Sequence, residues 1–310
     1  MKANTSRDII GRYFNTLAGI MMASWAFRIA HFNANSDQDA ETYLQFGATP
    51  QFKEWLGNRS VKDVDPTSIT IGNVKYEATL RDFADNFKFD KTGQLMTRVN
   101  GFAKRGVTHW GKLVTDLLRL GDSTAGADGA NFFSAAHHGS QNNLLTASDN
   151  ALLNVATATN PTAAEMANVI GAVVAIMQGW VDDQDEPMNE DAQKFLVMVP
   201  PNMGFAAQQV VTKSVLAGGV DNPLLDTQYE INVQVNARLN QSGEKDDFYV
   251  FRLDGDTKPI ILQEQSPLQL SSKAEGSDYY HDTDKWEFGA KATRGVGFFN
   301  WENAAKVTLS

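Results

Sequence analysis

The 310-residue chain has no cysteine. That single absence removes disulfide frameworks, thiolate zinc centres, iron–sulfur clusters and cysteine nucleophiles. It leaves the compartment open, because a chain without thiols is indifferent to redox state. With only nine prolines and 24 glycines, the composition is neither collagen-like nor low-complexity. Positive charge is in the minority: 27 basic against 37 acidic residues give a net charge of −10. A tight duplex-DNA reader draws its affinity from neutralised phosphates, so sequence-specific DNA recognition is disfavoured, while tolerance of nearby DNA is not. Long apolar runs are missing too. The longest, Leu17 to Phe27, falls short of the roughly 18–20 residues a membrane helix needs, and no membrane partner is expected.

What is present is a folded composition, 42% hydrophobic and 21% charged, long enough for one large domain or two ordinary ones. No repeat of fixed period occurs. Lys2, Arg7 and Arg12 ahead of the apolar run outline a secretory signal, but Asp8, Trp25 and Arg28 fit one poorly. Ile10, Phe14, Leu17, Met21 and Trp25 recur every three or four residues, as one stripe of an amphipathic helix. Residues 1–57 otherwise show no core of their own, so this stripe is expected to bury itself elsewhere in the chain or on another subunit.

Residues 58–90 have the character of strands. Ser68 to Ile71 and Val74 to Leu80 are rich in β-branched and aromatic residues, with Asp65-Pro66 and Gly72-Asn73 as turn signals. The pattern predicts an extended hairpin with Arg59–Val64 paired to Ile69–Leu80, polar on both faces and suited to packing on a neighbour. Residues 92–120 predict a long helix that bends or breaks near Lys104-Arg105-Gly106, since Gly101, Gly106 and Gly111 each cost up to about 1 kcal/mol. From Lys88 to Leu120 seven cations face two anions, an asymmetry in an acidic chain.

Residues 122–160 have a loop composition, and Ala163 to Met177 is a helix capped by Thr162. Val181 to Asp191 is an acidic solvated loop. Phe195 to Val199 is a short buried strand, with Asn202 beyond Pro200-Pro201 as the expected cap of another helix. Gln228 to Leu239 alternates as a half-buried strand does. Phe248–Leu253 and Pro259–Gln263 are strands joined at Asp254-Gly255-Asp256, and the tail from Trp286 to Leu309 holds more.

Catalytic motifs are sparse. His137-His138 has no third ligand at chelating spacing, and H-E-x-x-H is absent. Asp90-Lys91-Thr92-Gly93 is followed by Gln94 where ion-pumping ATPases have threonine. Gly295-Val296-Gly297 lacks the third glycine and the following helix of a dinucleotide site. Asp182, Asp183 and Asp185 meet Pro187 where a calcium loop has its glycine. No catalytic residue, metal or cofactor is expected, and the chain is not expected to be an enzyme.

The order of several short motifs resembles the Mu-like major head subunit family of tailed bacteriophages. They are Glu54-Trp55-Leu56-Gly57-Asn58-Arg59, Ile69-Thr70-Ile71, Tyr76-Glu77-Ala78-Thr79, His109 with Leu113–Leu118, Asp128-Gly129 with Phe132-Phe133, Leu196 to Pro201, Phe288-Gly289, Gly295-Val296-Gly297 and Trp301. The resemblance runs from about Trp55 to Trp301, and the first fifty residues align with nothing in it. It implies an α+β fold of the Hong Kong 97 capsid type. Its parts would be an N-terminal arm (1–57), an extended hairpin loop and lead-in (58–90), a peripheral domain with a spine helix (91–125), an axial domain (126–270) and a return to the peripheral domain (271–310).

The implied role is a structural capsid protein that self-assembles as hexamers and pentamers into an icosahedral head around packaged double-stranded DNA. It would be assembled in the host cytoplasm and found in the virion, with scaffolding, portal and decoration proteins as further partners. Phe14, Met21, Trp25, Val61, Val64, Ile69 and Ile71 would make inter-subunit contacts. Arg98, Lys104, Arg105 and Lys112 would lie near DNA on the inner face, in weak non-specific contact. Two alternatives are an encapsulin-like or prophage-derived shell around protein cargo and, more distantly, a soluble hydrolase with an unrecognised site.

Overall fold

The computed structural model describes residues 24–46, 66–89, 94–216, 220–225, 227–241, 243–273 and 275–310. A one-turn helix α1 (Trp25–Arg28) leads into β1 (Ala30–Asn33), β2 (Ala40–Gln45), β3 (Thr67–Gly72) and β4 (Val74–Phe83). Helices α2 (Ala84–Phe89) and α3 (Gln94–Arg119) follow, then β5 (Leu144–Leu145) and α4 (Ala163–Gln178). Next come β6 (Lys194–Val199), α5 (Gly204–Val210), β7 (Val215–Leu216), β8 (Val220–Asp221), β9 (Glu230–Val235) and β10 (Asp247–Arg252). The chain ends with β11 (Ile260–Lys273), α6 (Asp278–Thr283), β12 (Lys285–Phe298) and β13 (Ala304–Thr308).

Two main sheets organise these elements. The order β1-β11-β12-β4 forms one, around the long antiparallel β11/β12 pair, and β5-β13-β10-β6-β9 forms the other. The expected turn after β10 therefore carries the chain from one sheet to the other rather than closing a hairpin. Strand β11 spans residue 270, and β13 pairs antiparallel with β10 in the five-stranded sheet.

The second sheet holds most of the apolar core. Phe195 to Val199 of β6 are buried in succession, as are Phe248 to Phe251 of β10, the pattern of strands covered on both faces. Helix α4 starts at a capping box in which Glu165 N donates to Thr162 Oγ1 and Thr162 N to Glu165. Asn202 does not cap α5. Its amide reaches the carbonyls of Thr159 and Lys245 instead, and Met203 occupies the cap position. The acidic loop is less solvated than its composition implies: buried Asn189 donates to Met177 O and Glu302 O, both at 2.9 Å.

Helix α3 runs without interruption through the expected break at Lys104-Arg105-Gly106. Its buried Val107, Trp110, Leu113, Val114 and Leu118 follow the helical period. A large apolar side chain fully buried contributes about 1.5–3 kcal/mol, so this stripe outweighs a glycine cost of about 1 kcal/mol per site. Of these glycines, Gly111 sits where another side chain approaches, whereas a Cβ on Gly101 would meet nothing within 4 Å. A Cβ on Gly111 would lie 3.4 Å from the ring of Trp25.

Candidate assembly surfaces

The segment before β1 is not left without a core. Ala26, Ile29 and Ala30 are buried, and β1 pairs in parallel with Ile260–Gln263 of β11. Trp25 is half-buried on α3, and the rings of Phe27 and Phe32 each meet Trp110 edge-on at 5.9 Å. Of the predicted stripe, Phe14 and Met21 lie outside the described residues. An apolar stripe specifies that burial occurs but not against what, which is why an intramolecular partner was not legible.

Behind Trp110 lies a buried ion pair. The Arg294 guanidinium stacks 4.6 Å from the Trp110 ring, donates to Glu264 Oε1 at 2.9 Å and reaches Gly106 O at 3.2 Å. His109 packs against Tyr76 with ring centroids 4.5 Å apart. Burial, then the Arg294 charge, holds its imidazole at about 4, well below the ordinary histidine value.

Strands β2 and β3 form a separate antiparallel ribbon, from Ala40 opposite Gly72 to Gln45 opposite Thr67. The hairpin expected from sequence thus differs in its observed pairing. Strand β3 pairs with residues 40–45, and β4 pairs with Lys285–Arg294 of β12. Arg59–Val64, including Val61 and Val64, lie outside the described residues. Residues 40–45 belong to the ribbon rather than to a featureless arm. Alternation in AETYLQ was the available signal, but period two names no partner.

The ribbon has unlike faces. Outward, Thr42 and Thr70 hydroxyls meet at 3.1 Å, and Leu44 is 52% exposed. Beyond the strand end, Phe46 is 63% exposed. Inward, Ile69 is partly covered and Ile71, expected at an inter-subunit contact, is already buried within the chain.

Arg98, Lys104, Arg105 and Lys112 are all exposed on α3. Lys112 is engaged by Asp116 one turn away, and such exposed pairs contribute little. Between the first half of α3 and strands β4 and β12 lies a cleft of about 580 Å³, with Arg98, Arg105, Phe102, Tyr76, His109 and Arg294 on its walls. Its lining mixes cations with apolar groups.

His137 is a fastener of the 122–160 loop. Its ring stacks 4.1 Å from that of Trp301, Nδ1 lies 2.7 Å from Asp128 Oδ2, and Nε2 lies 3.0 Å from Asn143 Oδ1. Asn143 in turn donates to Phe132 O at 2.8 Å and Ala304 O at 3.2 Å. Nearby, burial raises the Glu302 carboxyl above its ordinary value. Among the described residues, no three His, Asp or Glu side chains gather as a metal site, and no helix is long and apolar enough to cross a membrane.

Comparison with known proteins agrees with this architecture. The family model of the Mu-like prophage major head subunit gpT matches residues 11–163, just short of half the chain. That match corrects the expectation that the first fifty residues align with nothing in the family. The major capsid protein of Escherichia phage Mu is 28% identical over 103 residues, 33% of this chain. The chain spans about a third of the length of that curated relative, 34%. Among solved structures, the procapsid of bacteriophage JBD30 matches with a TM-score of 0.50 at 17% identity, covering 100% of this chain and 77% of that one. The mature capsid of bacteriophage PhiM1 matches with a TM-score of 0.56 at 12% identity, covering 93% and 87%. Over its matched segment the chain is similar to the Mu-like major head subunit, and its fold is of the Hong Kong 97 type found in the capsids of tailed bacteriophages.

Proposed function

We infer that the chain is the subunit from which a phage head shell is built, copy upon copy, around double-stranded DNA. The observation that supports this most is the β2/β3 ribbon on a capsid-type body. It is a two-stranded element with exposed Leu44 and Phe46, and an isolated pair of strands is marginal without further packing. A second copy would supply that packing. Many modest contacts of this kind allow errors to be corrected during assembly and yet hold collectively.

Icosahedral shells larger than the smallest combine rings of five with rings of six, so hexamers and pentamers are the expected building blocks. Portal, scaffolding and decoration proteins would complete the particle in the host cytoplasm. Exposed Arg98, Lys104 and Arg105, with Lys112, give the inner face a mild attraction for DNA. The acidic remainder of the chain keeps that attraction weak enough for DNA to be loaded and released.

The test is to purify the full chain and follow it by sedimentation and negative-stain microscopy. Shells, or rings of six, are expected. A single compact species that persists over a wide concentration range would defeat the proposal. A shell map with Arg98, Lys104 and Arg105 on the outer surface would remove the DNA-facing role alone.

A further inference from the structure

The ribbon leaves the body at a point where backbone, a buried amide and two glycines meet. Gln263, fully buried in β11, donates through Nε2 to Ile71 O at 2.8 Å and accepts through Oε1 from the Tyr43 hydroxyl at 2.8 Å. One side chain therefore holds both strands of the ribbon. Asn33 Nδ2 donates to the same Tyr43 oxygen at 3.0 Å, which ties in β1. Asn73 N closes the root on Asp39 O at 2.7 Å.

Strand β12 lies underneath. A Cβ on Gly295 would sit 2.7 Å from Gly72 O, and one on Gly297 would sit 2.4 Å from Ile71 Cδ1 and 2.5 Å from Ile71 Cγ1. The Gly295 contact is with backbone and cannot be made without movement of the ribbon, whereas the Gly297 contact is with the buried Ile71 side chain, which must turn aside or carry the ribbon with it. A glycine within a strand marks a close approach of another chain, here the backbone of the ribbon root at Gly295 and the Ile71 side chain at Gly297.

We propose that Gln263, Gly295 and Gly297 are positioning residues that set the angle at which the ribbon leaves the subunit. The use of that angle in assembly rests on the shell reading above; the angle itself does not. The physical case is one of pre-organisation. A ribbon held at one angle meets its neighbour without first losing orientational freedom, whereas one that swings must lose it at every contact. Apolar packing alone would let two strands slide on a sheet. A buried amide with one donor and one acceptor satisfied by different strands does not, because sliding would leave a buried polar group without its partner.

The absence of native cysteine makes the test direct. Spin labels at Leu44→Cys and Lys104→Cys, both exposed positions, report the ribbon-to-helix distance in the unassembled full chain. Gly297→Ala is expected to shift that distance. Adding Ile71→Ala, which removes the two atoms the new methyl meets, is expected to return it. Gln263→Leu keeps the bulk, removes both hydrogen bonds and should broaden the distribution; it also answers the question if Gly297→Ala yields no folded protein. In particle images, Gly297→Ala should lose uniform diameter and the double variant should regain it. An unchanged distance in Gly297→Ala, or an unchanged width in Gln263→Leu, overturns the inference. If the distances respond as stated but the wild-type chain never assembles, the positioning role stands and the shell reading falls.

Discussion

The five-stranded sheet and the ribbon root are held together by different physics. In the sheet, β6 and β10 lie side by side in apolar surroundings, and their burial needs nothing outside the chain. At the root, a buried glutamine and a tyrosine hydroxyl join one buried isoleucine, Ile71, over two glycines in holding a two-stranded element. Apolar burial is strong and non-directional. Hydrogen bonds contribute less net free energy but fix direction. On the proposed shell reading, a chain that must both fold alone and reach outward divides these tasks between two regions.

That contrast can be broken from the strong side first. Phe251→Ala, near the end of β10 and fully buried, should cost about 3–5 kcal/mol and lower the denaturation midpoint of the whole chain. A loss under about 1 kcal/mol by urea titration would mean that the sheet is not the stabilising layer. The ion pair behind the ribbon root comes next. Arg294→Ala would leave Glu264 buried without its partner and should cost about 3 kcal/mol or more. Removing both charges with Arg294→Met and Glu264→Gln should recover most of that, because the penalty lies in the unpaired charge. If the double variant is as unstable as the single, packing on Trp110 is the larger effect.

The smallest effect sharpens the comparison through pH. His109 is held at about 4 in the fold, against an ordinary value near 6.5. The unfolded chain therefore takes up a proton that the folded one refuses. The stabilisation is full above about 6.5 and is lost as pH falls toward 4, by at most about 1.4 kcal/mol per pH unit for one proton. His109→Gln should flatten that part of a stability–pH curve. An identical slope in the variant would assign the acid sensitivity to other groups.

Much of the strong region was legible. FLVMV before two prolines is a short buried strand, Thr162 caps a helix, and the stripe from Val107 to Leu118 is a helix. Local pattern suffices there because each element declares its own period. The helix was expected to break because glycine cost was weighed without the burial of Trp110 and Val114, which exceeds it. The surfaces proposed for assembly were legible only in part. Residues 68–71 and 74–80 read as strands, but whether their partner was 40–45, 59–64 or 285–294 depends on contacts distant in sequence. Gly295-Val296-Gly297 stood out as a failed nucleotide motif. Its spacing of two along a strand was a usable signal, since both glycines then share one face and invite another backbone onto it.

By itself, then, the amino-acid order determined the elements, the class of fold and the exclusion of thiol chemistry, because periodicity and composition are properties of the chain alone. Tertiary structure decided what those elements touch. Only there does Gln263 meet Tyr43 and Ile71, Arg294 meet Trp110, and β13 join the sheet of β10. Partner choice depends on distances between residues far apart in sequence, and no local pattern carries that information.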